Sequence, residues 1–384
     1  MKNNFENNVV TIFLEGNIDT TNAEAVGEEI NTIKAEHPEA ALVLDAEELK
    51  YISSAGLRQI LRLKKTNKDF KVINVNSEIY EVFEMTGFSE MMDIQKAYRK
   101  MSVEGCEVIG EGSNGIVYRL NPDTIIKVYK NNDALADIHR ERELARTALV
   151  MGVNTAIPYD VVKVGDNYGS VFELLSAKSI TKWIGADHDN IDEYIGVFIN
   201  MLKEIHETPV KPGTLPSEKQ VVANWVKYLK GHIDDEHYNK LEKLIDDVPE
   251  SDFMLHGDYH TNNVHYDKKE AILIDMDTIC VGDPIFEFGS IYNAYQGYGI
   301  SDPMRIENFL KVKYEDACYI WKKAVQLYFG VDDITDIENK CKVIGLTRVL
   351  RRTLKRESDN SELINMSKQM LLDAIDSVDS LEWR

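Results

Sequence analysis

Residues 1 to about 100 alternate between short apolar segments and amphipathic segments. The apolar segments predict buried strands at 9–14, 40–45 and 70–75. Helices are predicted from Thr21 or Asn22 to about Glu36, from Ser54 over the apolar positions 57, 60, 61 and 63, over 79–85 and over 91–98. Strands that alternate with helices indicate a small mixed α/β sheet that helices cover on one face.

A short polar junction at residues 98–105 separates this half from the rest of the chain. The second half begins with predicted strands at 118–120, 124–129, 160–164 and 168–173. Helical periodicity follows at 135–150, 191–206, 221–229 and 238–245, and again near 303–328, 335–356 and 362–378. Strands early and helices late predict an α+β domain.

Composition narrows the class of protein. The 384-residue chain is 43% apolar, which supports a sizeable core, and its net charge of −21 disfavours nucleic acid or an anionic membrane as a partner. That charge suits a cationic substrate, although solubility explains it at least as well. No apolar run approaches the ~18 residues of a membrane span. The start of the chain has no signal-peptide pattern, and four scattered cysteines predict reduced thiols and a cytoplasmic protein.

Acidic and amide side chains cluster in the segment HGDYHTNN at 256–263 and in IDMD at 274–277. Strands predicted at 264–266 and 271–274 return Asp275 to the side of Asp258 and Asn263. A carboxylate that accepts a hydroxyl proton and oxygen ligands for magnesium are what phosphoryl transfer requires. We therefore predict Asp258 as the base and Asn263, Asp275 and Asp277 as magnesium ligands. The alternative is a polar hairpin whose side chains only cap turns.

The segment from Gly110 to Val117 has the pattern GxGxxGxV. Backbone N–H groups of such a loop bind phosphate oxygens. A dinucleotide-binding turn, as in an oxidoreductase, would need a helix directly after it, and a strand pattern follows instead. The next apolar strand contains one lysine, Lys127, and so resembles the strand that carries the phosphate-pairing lysine of kinases. The residues predicted to bind ATP are Gly110, Gly112, Ser113, Asn114, Gly115, Val117 and Lys127.

The motifs HGDxxxxN, IDxD and GDP (282–284) resemble those of the aminoglycoside phosphotransferase and choline kinase group. The resemblance covers residues 104–384 and implies a two-lobed, protein-kinase-like fold, with lobes near 104–175 and 176–384. It implies Mg-ATP-dependent transfer to a hydroxyl, in relatives mostly that of a small molecule. Glu287 stands where these relatives usually have Asp in GDPxxD.

The resemblance also suggests further site residues. Glu143 follows Arg142 as the Arg-Glu element and is the predicted partner of Lys127, with Glu141 in reserve. Glu173 and Leu175 resemble the hinge whose backbone meets the adenine of ATP. His206 is interpreted as a packed or capping histidine. Five basic residues complement a helix end or, alternatively, bind an anionic group of the acceptor: Arg348, Arg351, Arg352, Lys355 and Arg356.

Residues 1–100 resemble the STAS domain of anti-sigma-factor antagonists in three segments, at 15–20, 42–57 and 81–88. In that family a partner kinase phosphorylates a Ser at a helix start, which controls the binding of a protein partner. Here Ser54 and Ser53 are the candidates, and a phosphate there would be favoured by the helix dipole. Ala55 stands where the family often has a hydroxyl residue. The alternative is that Ser54 is only an N-cap.

Together these features predict a phosphotransferase with a STAS domain for regulation or docking of a protein partner. Two alternatives stay open. The second half can be a non-catalytic switch that only binds nucleotide, although it has the complete catalytic set of residues. It can also be a kinase that acts on a serine of the STAS domain.

Overall fold

The computed structural model describes residues 1–112, 114–131 and 134–383. The chain divides into two compact units. The first contains Met1–Ser102 with Val161–Asp166, and the second contains Val103–Asp160 together with residues from Asn167 onward. No helix among the described residues has the length and apolar character needed to cross a bilayer.

The first unit is built on a five-stranded sheet in the order β1-β2-β3-β4-β5. Its first pair is antiparallel and the others are parallel. The strands are β1 (Asn3–Glu6), β2 (Val9–Ile18), β3 (Ala41–Ile52), β4 (Phe70–Val75) and β5 (Asp93–Lys96), and a short β6 (Arg99–Lys100) follows. The helices are α1 (Ala23–Ala35), α2 (Ser54–Thr66), α3 (Ser77–Met85) and α4 (Phe88–Met91). The predicted mixed α/β sheet is confirmed.

The helix predicted over residues 91–98 was wrong, because this segment forms β5. Ile94 is buried while Asp93 and Gln95 are exposed, which is the period of a strand. Ile94 pairs with Val72 of β4. Strands β2 and β3 also extend beyond their predicted ends, because Ile18 pairs with Ile52.

The second unit begins with antiparallel strands in the order β11-β9-β8-β7. The strands of this region are β7 (Glu107–Glu111), β8 (Gly115–Asn121), β9 (Thr124–Tyr129) and β11 (Asn167–Glu173). Strand β10 (Pro158–Val164) begins in the second unit, and its residues from Val161 onward are counted with the first. The short strands that follow are β12 (Lys178–Ser179), β13 (Met254–Leu255), β14 (Val264–Tyr266), β15 (Ala271–Leu273) and β16 (Cys280–Val281). The α+β prediction is confirmed.

Helices form the rest of the second unit and its large apolar core. They are α5 (Leu135–Val150), α6 (Ile180–Ala186), α7 (Ile191–His206), α8 (Glu218–Tyr228), α9 (Asp235–Asp246), α10 (Pro284–Tyr295), α11 (Met304–Leu310), α12 (Tyr314–Phe329), α13 (Thr335–Arg356) and α14 (Ser361–Asp376). The single helix predicted over 303–328 is two helices, because Lys311 adopts a left-handed backbone with φ +60°.

Helix α10 was missed from the sequence, and it supports the site described below. Every residue of α10 is buried, so the helix has no face exposed to solvent and lacks the pattern of a surface helix. It packs closely on α13, since a Cβ added to Gly289 would lie 2.5 Å from Cγ2 of Ile344. Asp283 caps α10 and Pro284 is its first residue, which are the start signals that the sequence did contain.

Candidate active site

The loop at residues 256–263 is held in place by a buried carboxylate of α10. Glu287, 1% exposed, accepts the backbone N–H of His256 at 2.5 Å and that of Gly257 at 3.1 Å. Burial acts to raise the pKa of this carboxyl, but His206, assisted by His256 and the Gly257 N–H, holds the pKa below its ordinary value. Glu287 therefore stays ionised and fixes the start of the loop. Glu287 occupies the position at which the relatives' GDPxxD motif has Asp, and it supplies the same carboxylate on a longer side chain.

Asp258 is ionised and accessible within this loop. The preceding Gly257 has φ +81°, and a Cβ there would lie 2.5 Å from the carbonyl oxygen of Thr278, so only glycine fits. The Asp258 side chain is 42% exposed, and its Oδ2 lies 3.8 Å from Nε2 of His260. Burial opposes ionisation, but His260 outweighs it and, with Arg348 and His256, lowers the pKa of Asp258 to about 2. An accessible carboxylate is what a proton acceptor for a hydroxyl requires.

The three side chains predicted as magnesium ligands lie near Asp258. Nδ2 of Asn263 donates to the backbone oxygen of Asp258 at 3.1 Å, so Oδ1 is the atom that can act as a ligand. Strands β14 and β15 form an antiparallel hairpin that returns the chain to Asp275, as the sequence indicated. Asp275 adopts a left-handed backbone with φ +63°, a conformation that non-glycine residues adopt rarely.

Asp277 adds a second carboxylate beside Asp275. Burial, and then the negative charges of Asp275 and Glu141, raise the pKa of Asp277 to about 7. A divalent cation would relieve this repulsion, and carboxylate and amide oxygens are ligands that magnesium accepts. Over the described part of the chain, no cluster of three or more His, Cys, Asp or Glu side chains could hold a metal. The two carboxylates and the amide of Asn263 fit a magnesium that also takes other oxygen ligands.

Lys127 of β9 lies between two carboxylates, and one of them corrects the sequence prediction. Its Nζ is 2.9 Å from Oε1 of Glu141 and 3.3 Å from Oδ1 of Asp275. Burial acts to lower the pKa of Lys127, but Asp275 and Glu141 outweigh it and raise the pKa above its ordinary value. The choice of Glu143 was wrong: Glu141 lies on the buried face of α5, whereas Glu143 lies on its exposed face.

The glycine-rich segment forms the turn of the β7–β8 hairpin. Gly110 pairs with Val117, and Val117 also pairs with Lys127 of β9, so the turn and the lysine share one sheet. The N–H of Gly112 donates to the oxygen of Gly115 at 2.9 Å. A Cβ on Gly115 would lie 2.7 Å from the oxygen of Val128, so this close strand contact requires glycine.

The predicted phosphate-binding loop also includes Asn114 and Ser113. The oxygen of Asn114 accepts the N–H of Lys130 at 3.0 Å. Ser113 lies outside the residues that the structure describes. The phosphate-binding roles of this loop stay predictions.

The predicted adenine-binding segment follows β11. The carboxylate of Glu173 accepts the N–H of Ile157 at 2.8 Å, and the N–H of Glu173 donates to the oxygen of Ile157 at 3.2 Å. These bonds fix the end of β11 and engage the N–H of Glu173. Leu175 is half-buried two residues later. Binding of adenine by this backbone also stays a prediction.

In the first unit, Ser53 rather than Ser54 is the N-cap of α2. Oγ of Ser53 accepts the N–H of Gly56 at 3.3 Å, and its own N–H donates to the oxygen of Ile18. Ser54 is the first residue of the helix and is exposed. The alternative that Ser54 only caps the helix is therefore wrong, and Ser54 is the more accessible candidate for modification.

Two contacts at the site were not predicted from the sequence. Tyr129 donates its hydroxyl to Oε2 of Glu141 at 2.6 Å. It follows Lys127 by two residues in a strand, so the strand period already put both side chains on one face. Arg348 donates to Oγ of Ser290 at 2.8 Å, and Ser290 donates to the oxygen of Gly257 at 3.1 Å. No local pattern could show these contacts, because they depend on the packing of α10 against α13.

Comparison with known proteins agrees with both resemblances. A family model described as "Phosphotransferase enzyme family" matches residues 105–311, and a STAS domain model matches residues 2–101. The protein described as "Putative anti-sigma factor antagonist BtrV" of Bordetella bronchiseptica is 32% identical over 85 residues, which cover 21% of this chain and 72% of that protein.

Solved structures of aminoglycoside phosphotransferases are also similar to this chain. The apo form of a thermostable mutant of APH(4)-Ia is 13% identical, with 72% of this chain and 97% of that chain covered and a TM-score of 0.47. The gentamicin–APH(2")-IIa complex is 17% identical, with 78% and 96% covered and a TM-score of 0.46. The streptomycin–ATP–APH(2")-IIa complex is 16% identical, with 78% and 99% covered and a TM-score of 0.47.

The phosphotransferase match spans more than half of the 384 residues, and the STAS match covers nearly all of the preceding segment. The chain therefore belongs to the phosphotransferase enzyme family, with an N-terminal STAS domain joined to its phosphotransferase domain.

Proposed function

We propose that this protein transfers the γ-phosphoryl group of ATP to a hydroxyl of a small molecule in a magnesium-dependent reaction. The observation that carries the proposal is the convergence of Lys127, Asp258 and Asp275. Lys127 contacts Asp275 at 3.3 Å. Asn263 donates to the backbone oxygen of Asp258 at 3.1 Å and accepts the N–H of Ile274, the residue before Asp275, at 2.9 Å. Family membership supports the same reaction. We take 104–384 as the domain responsible and 1–100 as the STAS domain.

Binding of ATP is assigned to the β7–β8 turn, to Lys127 and to the segment after β11. In this proposal, backbone N–H groups of Gly110–Gly115 lie against the phosphates, beside Val117. Lys127 pairs with phosphate oxygens, and Glu141 keeps it in position. Backbone atoms of Glu173 and Leu175 meet the adenine. The N–H of Glu173 already donates to the oxygen of Ile157, so we assign the carbonyl oxygen of Glu173, and not its N–H, to adenine.

Magnesium is assigned to Asn263, Asp275 and Asp277. When bound, it would neutralise negative charge on the phosphates and help to orient them. The residues themselves supply hard oxygen atoms. Burial first, and then the negative charges of Asp275 and Glu141, raise the pKa of Asp277, and a cation would balance those charges. The ion pair between Lys127 and Asp275 would then connect the phosphate-binding side to the metal-binding side.

The transfer step requires one proton acceptor and one leaving group. The acceptor hydroxyl oxygen forms a bond to the γ-phosphorus, and its proton passes to the carboxylate of Asp258. The bond between the γ-phosphorus and the β–γ bridging oxygen breaks, and ADP leaves. Because a pKa near 2 makes Asp258 a weak base, its contribution is to orient the hydroxyl and take the proton late in the transfer.

The STAS domain is assigned a regulatory or docking role toward a protein partner. Exposure of Ser54 at the first turn of α2 supports Ser54, more than the capping Ser53, as a site where phosphate could alter that docking. The four unpaired cysteines are consistent with the cytoplasmic location expected from the sequence.

ADP release in the presence of a panel of hydroxyl compounds tests the proposed function. We expect Mg-ATP turnover with at least one compound, and loss of that turnover in Asp258→Asn with ATP binding retained. Equal turnover in the wild type and in Asp258→Asn would refute the role of Asp258. Binding of ATP without turnover of any compound would favour the non-catalytic switch.

A further inference from the structure

Four cations lie along one face of α13. The first is Arg348, and the others follow it by three, four and seven residues: Arg351, Arg352 and Lys355. This spacing puts all four side chains on the same face of a helix. Each lies over an aromatic ring: Arg348 over Trp225, Arg351 and Lys355 over Tyr228, and Arg352 over Tyr298, at 4.7–5.8 Å. We call these four residues the basic row. Within the described residues, none of the four forms a salt bridge.

The basic row begins next to the proposed base. Arg348 donates to Ser290, and Ser290 donates to the backbone oxygen of Gly257, the residue before Asp258. Arg348 is also one of the cations that lower the pKa of Asp258. With about 1.5 Å of rise per residue, Arg352 lies about 6 Å and Lys355 about 10 Å farther along the helix. A molecule of modest size whose hydroxyl is at Asp258 could reach the row.

The helix dipole does not account for the row. Lys355 lies in the last turn of α13, where a cation complements the free carbonyl groups. Arg348 lies two turns earlier, where that effect has faded. Four neighbouring cations also repel each other, and aromatic rings compensate each of them only in part. The carboxylates of Asp258, Glu218 and Glu287 act on Arg348 at the start of the row. The other three cations form no salt bridge with any carboxylate of the described residues.

We propose that the basic row binds an anionic group of the acceptor, so that the substrate is a hydroxyl compound with a phosphate or a carboxylate. Arginine side chains form paired hydrogen bonds with either group. The inference rests on the proposed phosphotransferase function and names its substrate class. It differs from the cationic substrate that the overall acidity of the chain suits, because four cations of α13 lie on one helix face that begins near Asp258.

Calorimetric titration of the full chain with simple anions tests this inference. The protein is held in magnesium and a non-hydrolysable ATP analogue, and is titrated with inorganic phosphate, malonate or neutral glycerol. We expect saturable binding of phosphate or malonate and none of glycerol. Phosphate alone would indicate a phosphorylated acceptor, and malonate alone a carboxylated one.

Two matched variants decide whether the row is responsible. Arg352→Gln is expected to weaken anion binding at least about tenfold, because it removes a charge-assisted contact. Lys322→Gln, which removes an exposed cation of α12, should bind the anions as the wild type does. Absence of anion binding in the wild type, or equal binding by Arg352→Gln and the wild type, would overturn the inference. If the ATP analogue does not bind, the phosphotransferase proposal is refuted and the anion inference is not. The anion titration is then repeated in the absence of the analogue.

Discussion

Replacing Glu141 with Gln removes the carboxylate that Lys127 and Tyr129 share. Lys127 donates to Oε1 at 2.9 Å and Tyr129 to Oε2 at 2.6 Å. Glutamine has nearly the same shape but is neutral and keeps only one acceptor oxygen. The substitution therefore weakens one contact and removes the other, while α5 keeps its packing. Glu143→Gln is the matched control two residues away on the exposed face of the same helix.

The size of the effect follows from burial. The side chains of Lys127 and Glu141 are 19% and 9% exposed, so solvent screens their interaction little. A hydrogen bond to a charged group contributes about 1.5–3 kcal/mol. Asp275, at 3.3 Å, still compensates part of the Lys127 charge. We therefore expect a loss of about 2 kcal/mol, which lowers the Tm by roughly 4–8 °C, whereas Glu143→Gln should stay within about 0.5 kcal/mol of the wild type.

A double-mutant cycle isolates the interaction from other effects. The unfolding free energies of Glu141→Gln, Lys127→Met and the double variant should give a coupling energy above about 1 kcal/mol. The same cycle with Glu143→Gln should give less than about 0.5 kcal/mol. Stronger coupling of Lys127 to Glu143 than to Glu141 would refute the correction and restore the partner that the sequence indicated.

Three further predictions concern pH, backbone strain and modification. Burial raises the pKa of Glu218 to about 7, above its ordinary 4.5, so the stability of the fold should fall as the pH rises from about 4.5 to 7. In thermal unfolding, Glu218→Gln should therefore recover at most about 3 kcal/mol at pH 8 but little at pH 4.5. Gly257→Ala should cost about 3 kcal/mol and most of the turnover, because its Cβ would meet the oxygen of Thr278 at 2.5 Å in a backbone with φ +81°. Phosphopeptide mapping after incubation with Mg-ATP should find any phosphate of the 51–58 peptide on Ser54 rather than on the capping Ser53.

Matched controls sharpen these three tests. Glu236→Gln changes an exposed carboxylate, and it should not alter the pH dependence. Gly213→Ala has nearly the same φ, +80°, but its Cβ meets nothing within 4 Å, so it should cost only about 1 kcal/mol of backbone strain. Asp258→Asn shows whether phosphate on the peptide comes from this chain. An equal loss in the two glycine variants, or phosphate mainly on Ser53, would contradict the structural argument.

The sequence predicted elements best where periodicity was strong and local. Helices α5 and α7 have the bounds that the pattern predicted, 135–150 and 191–206, because each has one apolar face over four turns. The hairpin that returns the chain to Asp275 was predicted for a similar reason, since a short polar turn separates two apolar runs.

The rest depended on contacts between distant segments. The buried face of α5 decides which carboxylate pairs with Lys127. The Arg-Glu motif alone pointed to Glu143, because a motif does not show which face of the helix is buried. Helix α10 is buried on all sides and so lacks the amphipathic pattern that marks a helix. The link from Arg348 through Ser290 to Gly257 joins residues far apart in the chain, and only the packing of α10 and α13 creates it.

Magnesium-dependent binding of ATP tests the central claim most directly, and it needs no knowledge of the acceptor. Titration of ATP into the full chain, with and without millimolar magnesium, should give saturable binding that magnesium strengthens. Asp258→Asn should keep this binding, whereas Asp275→Asn should weaken it at least about tenfold, because it removes a negative charge from the proposed magnesium site and from the ion pair with Lys127. No saturable binding with magnesium present, or the same affinity in Asp275→Asn and the wild type, would contradict the account.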